Sequence, residues 1–285
     1  MLPTPASSSS PSPSRTPHPI TPRKVVPQFA GVPRHWFGGS AVATHITNGV
    51  NMLFPQGERF FVRSVKHFLD RIEDPELRDQ IRGFFGQEGR HASAHDDYND
   101  HLRAQGFRID RFLEIHDRIC YDWLERLTTP ELRLAATAAA EHYTAILAEG
   151  AFTGQTFDAA HPVMRELLLW HAAEEIEHKS VAFDVLQKVD DSYFLRLSGF
   201  ALASAVLLSF WTIGAIMLMV QDEDATWERI RRDFRGGRRG GFLSRGDVVR
   251  RVMAFTRPNF HPWSRDNLDL AMAYLARAKA SSATA

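Results

Sequence analysis

The chain is short of cysteine: its 285 residues include one, Cys120. A single thiol closes no internal disulfide, so nothing here implies an oxidising compartment. Cys120 reads as a small buried hydrophobe. Net charge is also absent. Lys+Arg and Asp+Glu number 34 each, which removes the electrostatic argument for a nucleic-acid partner. Strand signals are sparse too. Few β-branched runs alternate with polar residues, and apolar residues recur instead at intervals of three and four. The amino-terminal stretch lacks the apolar core of a secretory signal. It is rich in Ser and Pro, with Ser7 to Ser10 in a row and Pro11, Pro13, Pro17, Pro19 and Pro22 after them. Such a segment buries too little apolar surface to order itself, so residues 1–33 are expected to form a disordered tail.

The rest of the pattern is helical, and the expected fold class is all-α. Residues 34–190 read as a helical bundle. A first helix begins near Gly39 or Ser40, is kinked or restarted at Pro55, and continues past Phe60, Val65 and Phe68. Asp74-Pro75 starts a second, since proline is favoured at the first helical position. That helix runs to about Gly106. A connecting helix covers about Ile109 to Leu127. Thr129-Pro130 opens another to about Phe152, and His161-Pro162 opens one to about Val189.

Residues 191–221 form a separate unit. Leu197 to Val220 carries no charged residue. At 1.5 Å per residue those 24 residues would span about 36 Å as a helix, enough to cross a hydrocarbon core of about 30 Å. The segment is read as a membrane-associated helix, possible as a transmembrane helix, with a buried helix packed on the bundle as the alternative. The basic residues that follow (Arg229, Arg231, Arg232, Arg235, Arg238, Arg239) would lie on the cytoplasmic side. A single span would then place the bundle outside, a conflict that a helix lying in the membrane surface removes. Residues 222–285 begin with a Gly/Arg-rich linker, Arg235 to Gly241, suited to anionic lipid headgroups, to RNA or to plain solvation, with lipid favoured over RNA beside the apolar segment. Short helices near 244–255 and 266–279 follow.

Against this background two Glu-x-x-His pairs stand out. Glu88 and His91 form the first, Glu175 and His178 the second. Residues three apart on a helix point the same way, so each pair aims one carboxylate and one imidazole at one point. A lone glutamate precedes each pair at a similar distance: Glu58 before the first, Glu141 before the second. That distance equals one helix, a turn and part of the next helix. Four helices can therefore bring four carboxylates and two imidazoles together, the ligand set of a di-iron or di-manganese carboxylate site. The candidate metal ligands are Glu58, Glu88, His91, Glu141, Glu175 and His178, for two metal ions, with Fe favoured and Mn or Zn open. Glu141 follows Ala138-Ala139-Ala140, an apolar setting in which an unpaired carboxylate is costly. His171 shares the face of Glu175 and His178, His95 follows His91 by four and His142 adjoins Glu141; each is a candidate to stand behind the ligands or to face substrate. Glu174 lies four before His178 and is expected around the ligands, with replacement of Glu175 as the alternative, although the i, i+3 spacing of Glu175 matches the first pair. Asp184 and His45 are weaker candidates. Glu177 should point away from Glu175, by about 160° if each residue turns about 100°.

The spacing resembles the ferritin-like di-iron superfamily, which includes rubrerythrins, ribonucleotide reductase small subunits and demethoxyubiquinone hydroxylases. More closely, four segments are similar to the bacterial family labelled "predicted metal-dependent hydrolase". They are His35-Trp36-Phe37, Phe54 to Phe61, Gln87 to His91 and Trp170 to Lys179. The resemblance covers about residues 35–265 and includes Arg257 to Pro262. It implies a ferritin-like four-helix bundle with a dinuclear metal site, to which the apolar helix and carboxy-terminal helices are added. The ligand set resembles oxygen-activating enzymes more than hydrolases. The first expectation is therefore an oxidase or oxygenase acting on a small apolar or lipid-like substrate, with an electron donor. A hydrolase using a metal-activated water is the alternative, and a non-catalytic metal-binding bundle the third reading. No catalytic residue beyond the metal centre is identified. The expected location is the bacterial cytoplasm or the cytoplasmic face of the inner membrane. A homo-oligomer is left open.

Overall fold

Caps and prolines set where the helices begin. In the computed structural model, which describes residues 18–236 and 245–283, Ser40 accepts the Ala43 amide proton and starts α1 (Ala41–Asn51). Two residues later α2 (Phe54–Lys66) begins with a proline in its first turn. Asp74 accepts from the Glu76 and Leu77 amides ahead of Pro75 and α3 (Pro75–Ala104). Thr129 does the same for Leu132 at the head of α6 (Pro130–Thr153). Each cap satisfies amides that a helix leaves unpaired, and proline has no amide proton to lose there. Between them, Asp110 to Leu127 is one run in three parts. It is α-helical as α4 (Asp110–Asp117), π-helical over Arg118–Leu124 and α-helical again in one turn, α5 (Glu125–Leu127).

The helix expected from His161-Pro162 to Val189 is broken. α7 (Pro162–His178) stops and α8 (Val181–Val189) restarts after Lys179 and Ser180. Side chains of the carboxy-terminal segment account for the break. The Lys179 ammonium donates to the Arg265 carbonyl (2.7 Å) and to Asn267 Oδ1 (2.6 Å), and lies 3.8 Å from the centre of the Trp263 ring. Ser180 accepts from the Trp263 indole and donates to Asp184, which also meets His261.

Among the described residues no strand forms. An isolated bridge pairs Phe37 with Ala160, and the His161 amide donates to the Trp36 carbonyl. The expected tail to residue 33 needs correction. Residues 1–17 lie outside the described residues, but residues 18–33 run over α3 and α7. Gly83 and Gly86 leave room for them: a Cβ at either position would collide with Ile20 or Pro22. Phe29 and Val32 are buried in the same apolar cluster as Trp36, Tyr98 and Trp170. A Pro-rich segment with little apolar surface of its own is thus ordered by a groove in a helix.

The apolar helix α9 (Tyr193–Gln221) lies along α6 and α1. Gly199 brings it against the backbone at Ala135, and Gly49 of α1 meets the α9 backbone at Trp211 and Ala215. Its other face points outward, with Phe194 78% and Val220 80% exposed. The one described helix long and apolar enough to cross a membrane thus has one side fixed to the bundle. Its end is pinned by Asp222, whose Oδ2 meets His35 Nε2 at 2.6 Å and His45 Nε2 at 2.7 Å, with Arg34 on the other oxygen at 3.5 Å. These three ligand-type side chains form a second group of metal-binding composition. Here Arg34 already balances the carboxylate, and the group serves as an anchor. Beyond it, α10 (Trp227–Gly236) packs on α1, α11 (Arg245–Ala254) on α6 and α12 (Leu268–Ala283) on α7. Most of the Gly/Arg linker lies outside the described residues.

Candidate metal centre

Four helices aim glutamates at one interior point. α2 supplies Glu58, α3 Glu88, α6 Glu141 and α7 Glu175, all between 0% and 3% exposed. His91 and His178, both fully buried, arrive from α3 and α7. Ligand atoms of Glu58, Glu88 and His91 lie within 4.8 Å of one another, and so do those of Glu88, Glu175 and His178. His178 Nε2 is 3.0 Å from Glu88, 3.3 Å from Glu141 and 3.5 Å from Glu175. All six side chains that the sequence singled out therefore meet in one place.

What they lack is informative. Both carboxylate oxygens of Glu58, Glu88 and Glu141 are buried without a hydrogen-bond partner, as are Glu175 Oε2, His91 Nδ1 and His178 Nε2. In folded proteins generally, buried polar atoms are almost always paired, and an unpaired one costs about 1–3 kcal/mol or more if charged. Nine such atoms around one point fit a cation in the space between them. Carboxylate oxygen and imidazole nitrogen suit iron, manganese or zinc.

The electrostatics follow from the crowding. Burial raises the affinity of Glu58 for its proton well above the ordinary carboxylate range, and Glu88 and Glu175 add to the effect. Burial does the same to Glu88, against the pull of His178. Glu141 is pushed up to about 7 by burial, again opposed by His178. Burial disfavours an imidazolium at His178, but Glu175, Glu141 and Glu88 outweigh it and hold that group protonated. Glu175 is likewise buried, yet His178 and His171 keep it well below the usual range. Without a metal the centre thus holds protons where cations would sit.

Each imidazole is oriented from behind. His91 Nε2 donates to Glu174 Oε2 at 3.0 Å, which leaves Nδ1 facing the centre. His178 Nδ1 donates to Gln87 Oε1 at 2.8 Å, which leaves Nε2 facing it. Gln87 in turn donates to Glu177 Oε2 at 2.8 Å. Arg23, from the amino-terminal segment, closes the network: its guanidinium meets Glu177 at 2.6 and 3.0 Å and Glu174 at 3.2 Å. An outer partner of this kind fixes the tautomer and ring direction of a metal-binding histidine.

The remaining candidates divide. His171 Nε2 is 2.8 Å from Glu175 Oε1 and 3.7 Å from Glu58, while its Nδ1 meets His95 Nε2 at 2.6 Å. Both histidines therefore border the centre, and their ligand atoms group with Glu58 within the same 4.8 Å as those of Glu58, Glu88 and His91. Glu174 stands behind His91 as described. His142 is turned away, bonded to the Arg251 and Val252 carbonyls. Asp184 serves the α7–α8 break and His45 the Asp222 anchor. Sequence reasoning missed Arg23, Gln87 and the role of Glu177. Gln87 adjoins Glu88, and Glu177 does point away from Glu175, as its place on the helix required. Nothing in the composition around Arg23 marks it.

The family described as "Predicted metal-dependent hydrolase" matches residues 21–266. Searches of curated proteins and of solved structures found no match. The matched span includes every residue of the centre and Arg23.

Replacing Arg23 by Met removes the charge that ties Glu174 and Glu177 while keeping an unbranched side chain. It is expected to weaken metal binding by about 10- to 100-fold, read by competition with a chelator, with helical content unchanged by circular dichroism. Undiminished metal affinity in that variant contradicts the orienting network.

Proposed function

Because the chain belongs to the predicted metal-dependent hydrolase family, we propose that it is a hydrolase whose metal ions are held by Glu58, Glu88, His91, Glu141, Glu175 and His178. The observation that carries this reading is the set of buried, unpartnered ligand atoms on those side chains. Four carboxylates balance two divalent cations, so the site is proposed to be dinuclear. In the same reading α2, α3, α6 and α7 form a ferritin-like four-helix bundle around it. When bound, the metal ions polarise the bond to be cleaved and lower the pKa of a water molecule.

The chain's own residues supply the rest. His171 borders both the centre and an apolar cavity. With its Nε2 against Glu175 and its Nδ1 against His95, it is placed to move a proton between the centre and a leaving group. His95 sets the tautomer: a proton on His95 Nε2 faces His171 Nδ1, and burial keeps His95 neutral by holding its pKa well below the ordinary value. Phe54, its ring centre 4.7 Å from those of His95 and His171, limits the approach of water from that side.

The expectation of an oxygen-activating enzyme becomes the second reading. It is favoured by the carboxylate-rich ligand set beside apolar cavities, which suits iron and an apolar substrate. It would also require an electron donor. Metal-free protein reloaded with zinc, manganese or, anaerobically, ferrous ion separates the two. Hydrolysis of esters by the zinc or manganese form is the expected result. His171→Asn should lower turnover by about 10²- to 10⁴-fold with metal content unchanged. Oxygen uptake by the iron form, with no hydrolysis by any form, would overturn the hydrolase in favour of oxidation.

We also propose that the outward face of α9 rests on the lipid surface at the cytoplasmic side of a membrane. Leu208, Ile213, Ile216 and Val220 are all exposed there, and the exposed Arg231, Arg232 and Arg235 of α10 complement anionic headgroups. The protein should float with vesicles containing anionic phospholipid, and Ile213→Glu with Ile216→Glu should abolish flotation. A wild-type protein that ignores such vesicles contradicts this docking.

A further inference from the structure

Two cavities flank the candidate metal centre, and their walls are almost wholly apolar. One, of about 120 Å³, reaches Glu58. The other, of about 500 Å³, reaches His171 and Glu175. Val50, Phe54 and Thr144 line both, so these side chains form the wall between the two, and Phe54 sets that wall against His171. Each takes part of its wall from α9, through Leu202 and Val206 in the smaller and Trp211 in the larger. The polar groups at the margins differ: Glu125, Thr128 and Arg133 at the smaller, Gln155 and Asp158 at the larger.

Such a pair of cavities constrains the substrate. A sugar, nucleotide or peptide would leave its polar groups unpaired against these walls, at a cost of about 1–3 kcal/mol for each lost hydrogen bond. A chain of methylene groups gains about 0.8 kcal/mol for each one buried. A long molecule that passes Phe54 from one cavity to the other has its middle, not its end, beside Glu58 and His171. The π-helical turn that carries Cys120 and Tyr121 contributes to the smaller cavity. Such turns widen a helix by one residue and often mark functional sites.

On the hydrolytic reading above, we propose that the substrate is an ester of a long unbranched fatty acid. The acyl chain occupies the larger cavity, the alcohol portion the smaller, and the ester group lies at Phe54 beside the centre. Cleavage adds water across the acyl carbon–oxygen bond. That bond breaks, a new one forms from the acyl carbon to the water oxygen, and a water proton goes to the departing alkoxide. No oxidant or reductant is required.

The test starts with binding of free fatty acids, which are not turned over, by the metal-loaded full-length chain. A fluorescent polyene fatty acid serves as the probe, displaced by saturated fatty acids of increasing length. Palmitate is expected to displace the probe at concentrations at least tenfold lower than butyrate. Ala148→Phe fills the larger cavity from a buried position, and Ile46→Trp narrows it from a half-exposed one where folding tolerates the change. Each folded variant should lose at least tenfold in probe affinity. Absence of probe binding by the wild type, equal displacement by butyrate, or undiminished binding in a folded variant would overturn the proposal. In the metal-loaded enzyme, hydrolysis should rise with acyl length and Ile46→Trp should shift the preference to shorter esters; a flat profile contradicts it. Retained chain binding without hydrolysis of any ester would instead sink the hydrolytic reading and, with it, the ester linkage.

Discussion

Like charges buried at one point are the constraint on which the structure depends. Glu58, Glu88, Glu141 and Glu175 cannot all ionise in a dry interior, where the loss of hydration is not returned by any hydrogen bond on six of their eight oxygens and one more. The raised proton affinity of Glu58, Glu88, Glu141 and His178 relieves the repulsion without a metal. Cations held among these carboxylates would relieve it more completely than protons. Whatever neutralises these carboxylates therefore also favours the packing of α2, α3, α6 and α7 around them.

The rest of the chain serves that arrangement from outside. The amino-terminal segment crosses α3 where two glycines make way for it, and delivers Arg23 to the carboxylates behind His91 and Gln87. The carboxy-terminal segment reaches the end of α7 and interrupts it, so that His178 is the last residue of its helix and Lys179 turns toward Trp263 and Asn267. α9 closes the side on which the two apolar cavities lie. Its Asp222 is held by His35, His45 and Arg34, which ties the far end of that helix to α1 and to the residues just before it. Thus the segments at both ends of the helical interior take part in shaping the centre or its approaches.

Much of this was legible because it rests on local rules. Prolines at 75, 130 and 162 and caps at Asp74 and Thr129 announced three of the four helices that carry ligand-type residues. The paired i, i+3 spacing placed Glu88 with His91 and Glu175 with His178. The long charge-free stretch announced α9, though not that one face of it is packed on α1 and α6. What escaped was non-local. Arg23 sits among prolines and serines, and its role depends on a groove formed some sixty residues away in α3. The break at Lys179 follows from residues near 265, which periodicity within α7 does not reveal. His142 adjoins Glu141 in sequence, but successive helical residues point about 100° apart, and it faces the carboxy-terminal helices instead. His45 has the right chemistry for a ligand and is claimed by Asp222.

The most direct test of the account is anomalous diffraction from crystals of the metal-loaded protein. It predicts two metal peaks at about 2.0–2.2 Å from carboxylate oxygens and imidazole nitrogens of Glu58, Glu88, His91, Glu141, Glu175 and His178, with Arg23 still bonded to Glu174 and Glu177. A well-ordered interior without metal after loading, its carboxyl groups protonated and bonded to one another, would contradict it.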